Sequence, residues 1–320
     1  MREVRASAPG KVNLTLRVGA PTPDGYHPLV TVFEALNLRE TVTVRTSKTP
    51  GVRVETIAYL PDGSIDEATT RAMADVDPQT HLAVRAARVL QRLAAAGPWA
   101  STAAGLSIRV DKRVPVAGGM AGGSADAAAT LVACNQLWGT GLNPAELTGL
   151  AVRLGADVPF PLLGATAVGH GRGDDLSPLM TRGTYQWVFA LAHEGLSTPV
   201  VFARFDELSV EQGRTPVTRE VPDALTAALR TGDPGALAPA LHNDLQAAAV
   251  DLRPAIAEVI ALAERAGALR AIVSGSGPTV AALVPEAATA MRVCRTLTAS
   301  GLVSGTVRAD APVAGARAVG

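Results

Sequence analysis

Cysteine is almost missing from this chain: Cys134 and Cys294 are the only two. They cannot form a disulfide framework, and they lack the paired spacing of a zinc site. Cys134 falls within an apolar helical pattern and reads as a small buried hydrophobe. Lysine is nearly as scarce. Of the 29 basic residues only Lys11, Lys48 and Lys112 are lysine, so a lysine in a chemically suggestive setting is informative. Aromatics make up 3% of the residues, which predicts an aliphatic core and makes each exposed aromatic a candidate contact. Net charge is absent too, because 29 acidic residues balance the 29 basic ones. No basic field exists to draw in nucleic acid or an anionic membrane. No uninterrupted apolar run reaches about eighteen residues, the length of a spanning helix. The opening Met-Arg-Glu-Val-Arg is charged and unlike a secretory segment. These absences point to the reducing cytoplasm, with neither nucleic acid nor membrane as a partner.

What the chain does have is length and apolar content. With 320 residues, 48% hydrophobic and 18% charged, it suits one large or two medium domains with cores that need no staples. Alternation predicts strands over 12–18, 29–38 and 41–46, with Leu106–Val110 as another. Residues 58–79 are polar and punctuated, which predicts a loop. Thr80 is placed to cap a helix running to about Ala96. Helical spacing follows over Ser124–Trp138. Asn143, Pro144 and Glu146 form a helix start, with an end at Gly155. In the second half, strands are expected near 165–169, 187–192, 270–274, 279–284 and 302–308. Helices are expected near 198–207, 221–230, 253–266 and 286–299. Residues 309–320 read as a loose tail. A boundary near 160 divides the chain into 1–160 and 161–320, with the site in the cleft between them.

Five segments could carry chemistry. Pro115-Val-Ala-Gly-Gly-Met-Ala-Gly-Gly-Ser124 precedes a helix. Such a loop can aim backbone N–H groups at a phosphate beside the positive end of the helix dipole; it could equally be a flexible connection with Ser124 as a plain cap. Neither a Walker loop nor a dinucleotide fingerprint fits. Ser124 stands where the Walker lysine belongs, and Gly171-Arg-Gly173 and Gly275-Ser-Gly277 lack the third glycine. Ala8-Pro-Gly-Lys-Val-Asn13 places Lys11 at a strand start with Asn13 on the same face; a solvated end charge is the alternative. Asp157, in Leu154-Gly-Ala-Asp-Val-Pro159, is either a turn residue or a positioned base. Ser274-Gly-Ser-Gly-Pro-Thr279 offers open N–H groups or a plain hairpin turn. Asp24-Gly-Tyr-His27 presents an aromatic and an imidazole, or a buried loop anchor.

In this order and spacing, the five segments resemble the GHMP kinases, over essentially the whole chain to about residue 308. Lys-x-Asn, Asp-Gly-Tyr-His, Gly-Ala-Asp-Val-Pro-Phe and Gly171-Arg-Gly173 are most similar to the branch that uses ATP to phosphorylate the 2-hydroxyl of 4-diphosphocytidyl-2-C-methylerythritol (CDP-methylerythritol), a step toward isoprenoid precursors. A homoserine or mevalonate type of GHMP kinase and a non-catalytic nucleotide-binding regulator are the alternatives. The resemblance implies an α/β (α+β) fold of two domains. The first is like domain 2 of ribosomal protein S5 and binds ATP; the second is ferredoxin-like. It implies Lys11 and Asp157 as a catalytic pair. It implies an ATP phosphate loop of Pro115, Val116, Ala117, Gly118, Gly119, Met120, Ala121, Gly122, Gly123, Ser124 and Ala125. Asn13, Tyr26, His27 and Phe202 are implied substrate contacts, with cytosine held by stacking and hydrogen bonding. Gly275, Ser276 and Gly277 are implied to lie near the phosphates, and Ser124 to meet Mg²⁺. A monomer or homodimer is expected. The family loop usually reads Gly-Gly-Gly-Leu-Gly-Gly-Gly-Ser-Ser, so Ala117, Met120, Ala121 and Ala125 are departures, and Ala121 is expected at negative φ. Asp174 stands where Glu is usual and Glu194 where Pro is common.

Overall fold

A computed structural model describes every residue except Met1, Ala117 and Arg219. Two sheets organise it. The first holds eight strands: β1 (Glu3–Val18), β2 (Leu29–Thr46), β3 (Gly51–Ala58), β4 (Gly105–Lys112), β5 (Thr166–His170), β6 (Asp175–Pro178), β8 (His242–Asn243) and β12 (Arg317–Ala318). Its main order is β12-β1-β2-β4-β3; β5 adds to β2, β6 to β5, and β8 to β1. The second sheet contains β7 (Tyr185–Leu191), β9 (Arg270–Val273), β10 (Val280–Val284) and β11 (Gly305–Ala311), ordered β11-β7-β10-β9 and antiparallel throughout. That 4-1-3-2 order is the ferredoxin-like topology implied above.

The helices are α1 (Glu67–Ala74), α2 (Leu82–Ala95), α3 (Ala100–Ala103), α4 (Gly122–Trp138), α5 (Pro144–Val152), α6 (Pro159–Leu163), α7 (Thr198–Glu211), α8 (Asp223–Thr231), α9 (Pro234–Leu237), α10 (Gln246–Leu252), α11 (Ala255–Arg265) and α12 (Ala287–Ala299). Among the described residues no helix is long and apolar enough to cross a membrane. Helix α4 is rich in alanine, with Ala125, Ala127, Ala128, Ala129 and Ala133 fully buried. Small side chains let its backbone lie close to α2 and the first sheet, in one core with Val42, Leu90 and Ile108. A second core joins the sheets, with Val12, Leu14, Val32 and Leu36 facing Tyr185, Trp187 and Phe189.

Several expectations need correction. The 12–18 strand begins at Glu3, so Lys11 lies mid-strand and is 5% exposed, not a solvated end charge. The pieces 29–38 and 41–46 are one continuous strand, β2. Residues 58–79 contain α1, capped by the Asp66 carboxylate; none of its residues is buried, so it carries no apolar stripe to betray it. His81, not Thr80, caps α2, its Nδ1 accepting from the Ala83 N–H at 3.3 Å. The Asn143–Glu146 capping box is present, but α5 ends at Val152. The tail is not loose. Arg317 and Ala318 pair with β1, and the Arg39 guanidinium donates to the Ala314 and Gly315 carbonyls at 2.7 and 2.8 Å. The chain crosses between the sheets more than once, since β5, β6, β8 and β12 all return to the first after β7 or stand beside it from 166 onward.

Candidate active site

Register shifts between Pro9 and Lys11 and between Asn13 and Thr15 bracket a short stretch of β1. Such irregularities re-aim side chains, and here Lys11 and Asn13 point together, with Lys11 Nζ donating to Asn13 Oδ1 at 2.7 Å. Asn13 is fixed in turn, its Nδ2 donating to Thr31 Oγ1 at 2.8 Å. Lys11 Nζ also donates to the Gly119 carbonyl at 2.7 Å, and the Lys11 amide to the Met120 carbonyl at 3.1 Å. The Ser274 hydroxyl donates to the same Gly119 carbonyl at 3.3 Å. Three segments far apart in sequence therefore meet at one carbonyl. Gly119 (φ +66°) must be glycine, because a Cβ there would stand 2.3 Å from the Ser274 carbonyl oxygen. A Cβ on Gly275 would lie 3.5 Å from Lys11 Nζ, so the late turn passes directly over the ammonium. Ser276 is tied to Thr198 through a 2.8 Å hydroxyl–hydroxyl bond, and Gly277 adopts φ +82°.

Asn243 holds that turn in place. Its amide donates to the Val273 and Gly275 carbonyls, both at 2.7 Å. No local pattern marks Asn243, since it stands in a two-residue strand with no motif around it.

Burial pulls the Lys11 ammonium below its ordinary pKa of 10.5, and the charge of Asp157 acts in the opposite direction. Asp157 lies exposed in the turn before α6, and it forms no ion pair with Lys11 within 4.0 Å among the described residues. The two are thus electrostatic neighbours across a gap.

Beyond Gly119 the loop turns into α4. Ala121, at the N-cap, has φ +56° and not the negative value expected; it is one of two non-glycine residues with positive φ in the described chain. Alanine offers no cap, so the first-turn N–H groups of α4, over Gly122, Gly123 and Ser124, have no side-chain acceptor. Ser124 is third in the helix and is not the cap. Met120 and Ala125 are buried in the two cores, so these departures from the family loop serve packing. Ala117 lies outside the described residues. Pro115, Val116 and Gly118 line a cavity of about 350 Å³ with Met73, Val76, His81 and Leu82. Beneath it Lys112 is committed to Glu40 Oε1 and Asp126 Oδ2, at 2.8 and 2.7 Å. This scarce lysine is a buried strut between β4, β2 and α4.

A larger cavity, of about 830 Å³, opens beside the segment that leads to Asp157. Tyr26, His27 and Phe202 all line it, together with Leu154, Gly155 and Ala156 from the segment leading to Asp157. The His27 and Phe202 ring centroids are 4.9 Å apart. Tyr26 is half exposed, and the Arg172 guanidinium lies 3.6 Å from its ring centroid while bonding Asp24 at 3.2 Å. Arg172 lies in the Gly171-Arg-Gly173 segment, whose local pattern is carried by its glycines and does not mark the arginine as a contact. The structure therefore gathers the expected residues into two neighbouring groups: Lys11, Asn13, the loop and the late turn, and Tyr26, His27 and Phe202.

Residues 81–165 match the family described as GHMP kinases N terminal domain, and residues 225–301 match GHMP kinases C terminal. A 4-diphosphocytidyl-2-C-methyl-D-erythritol kinase of Thermobifida fusca is 47% identical, covering 99% of this chain and 98% of that protein. One of Clavibacter michiganensis subsp. michiganensis is 46% identical, covering 99% and 96%. A crystal structure of 4-(cytidine 5'-diphospho)-2C-methyl-D-erythritol kinase superposes with a TM-score of 0.74 at 29% identity, over 97% of this chain and 99% of that one. The chain belongs to the GHMP kinases and, within them, to the 4-diphosphocytidyl-2-C-methyl-D-erythritol kinase family.

Proposed function

We infer that this chain is an ATP-dependent kinase that phosphorylates the 2-hydroxyl of CDP-methylerythritol, in the non-mevalonate route to isoprenoid precursors. The observation that carries this reading is the meeting of Lys11, the glycine loop and the Ser274 turn at the Gly119 carbonyl, next to a cavity lined by two aromatic rings and an imidazole. The work is assigned to residues as follows. The unpartnered N–H groups at the start of α4 and the loop over Gly118–Gly123 receive the ATP phosphates. The neighbouring cavity of Met73, Val76, His81 and Leu82 takes the adenine. Mg²⁺ needs only one or two protein oxygens beside phosphate and water. The Ser124 hydroxyl, without a hydrogen-bond partner among the described residues, fits that need. When bound, the ion neutralises charge on the triphosphate.

The 830 Å³ cavity takes the cytidine end of the substrate, with Tyr26 and Phe202 against the base. Asn13 contacts the substrate beside Lys11. That places the erythritol hydroxyl at the gap between Lys11 and Asp157. Asp157 accepts its proton as the oxygen attacks the γ-phosphorus, the bond from that phosphorus to the β,γ-bridging oxygen breaks and ADP leaves, with Lys11 offsetting the charge of the transferring group. The division into an ATP-binding part, 1–160, and a second part, 161–320, belongs to this proposal, as does action in the cytoplasm on a small molecule with no nucleic acid or membrane partner.

The deciding experiment is incubation of the purified chain with ATP and CDP-methylerythritol, with the product read by phosphorus–proton correlation NMR. A new phosphomonoester at the 2-position supports the reading; turnover of homoserine or mevalonate in its place overturns it.

A further inference from the structure

Of the two His27 ring nitrogens, one is committed to a backbone carbonyl and the other stands beside a carboxylate. Its Nδ1 lies 2.9 Å from the Gly19 carbonyl oxygen. A carbonyl only accepts, so Nδ1 carries a proton and donates it. Its Nε2 stands 3.3 Å from Asp206 Oδ2, within ion-pair distance of that carboxylate. Both nitrogens are turned to the protein, and the side chain is 7% exposed. What the ring offers the cavity is its apolar body, held 4.9 Å from Phe202 at a tilt of 38° and 6.2 Å from Phe205.

Asp206 follows Phe202 by one helical turn on α7, so the carboxylate and the aromatic ring share a face, and both line the cavity with His27. The loop carrying His27 is therefore fastened to α7 at the point where Phe202 leaves the helix. We propose that Asp206 is a positioning residue for the nucleobase end of this cleft: it holds the His27 ring against Phe202 and thereby fixes the slot into which the base slides. The inference rests on reading this cavity as the cytidine subsite.

The test is steady-state kinetics of the native chain, Asp206→Ala and Asp206→Glu with CDP-methylerythritol and ATP varied separately. Asp206 is 35% exposed on a helix surface, where alanine is well tolerated. Loss of the contact that holds the His27 ring should raise the KM for CDP-methylerythritol about tenfold in Asp206→Ala. The KM for ATP and kcat should stay within about twofold, and Asp206→Glu should recover most of the native KM, because these read binding at one end of the cleft. An unchanged KM for CDP-methylerythritol in Asp206→Ala overturns the assignment while leaving the kinase reading intact. So does a parallel loss of kcat and of both KM values that glutamate fails to rescue. A native chain that does not phosphorylate CDP-methylerythritol overturns both.

Discussion

Lys11 is caught between two opposed effects. Burial disfavours its ammonium, whereas the carbonyl of Gly119, the amide oxygen of Asn13 and the charge of Asp157 favour it. Its pKa stays below the ordinary 10.5, so the ammonium is lost at lower pH than in a free lysine. Activity that depends on it should hold on the acid side of that lowered value and fall as pH rises through it. Lys11→Ala and Asp157→Ala should each lower kcat by at least about a hundredfold while remaining folded, as judged by circular dichroism. Near-native turnover in either would remove that residue from the chemistry. Phe202 acts elsewhere: Phe202→Ala should raise the KM for CDP-methylerythritol more than it lowers kcat, with about 1–3 kcal/mol of stacking lost.

The glycine loop with α4 is the element on which nucleotide binding turns, and its glycines are not equivalent. A Cβ on Gly119 meets the Ser274 carbonyl at 2.3 Å, and the backbone there is left-handed; a Cβ on Gly123 meets nothing nearer than a Leu82 methyl at 3.5 Å. Gly119→Ala should therefore weaken ATP binding sharply and lower the melting temperature, while Gly123→Ala should fold normally. Isothermal titration with ATP and a thermal melt of the two variants check this contrast. Ala121, strained at φ +56°, shows that the loop accepts a left-handed alanine where the surrounding contacts demand it, at a cost of about 1–2 kcal/mol. Strand β3 carries little apolar signal in its sequence: it is an edge strand in which six of the eight residues are half-buried or exposed and only Thr56 and Ala58 are buried.

At the scale of the whole molecule, the two sheets face each other across Glu34. Its carboxyl is fully buried, and the Trp187 indole and Thr166 hydroxyl lie beside it without closing bonds of normal geometry. Burial raises its pKa from 4.5 to about 8. The folded state therefore holds a proton that the unfolded chain releases at lower pH. The stability tied to that proton is complete below about pH 4.5 and is lost as pH rises through about 8. The melting temperature of the native chain should fall between pH 6 and 9. Glu34→Gln should flatten that fall, and an equally steep fall in the variant would show that Glu34 is not its source. The C-terminal strand adds to the same union, since it leaves the second sheet at Ala311 and is bound by Arg39 and β1.

The sequence alone determined the alternation of strands and helices in the second half, the capping box of α5 and the identity of the motifs, because periodicity, caps and glycine spacing are local. It also carried the likeness to the GHMP kinases, which rests on the order of short segments. Tertiary structure decided the rest. That Gly119 is the shared anchor of three segments, that Asn243 pins the late turn and that Arg172 stacks on Tyr26 all depend on contacts between residues 30 to 155 positions apart. No local pattern records them, because such contacts depend on which backbone atoms the fold brings within bonding distance.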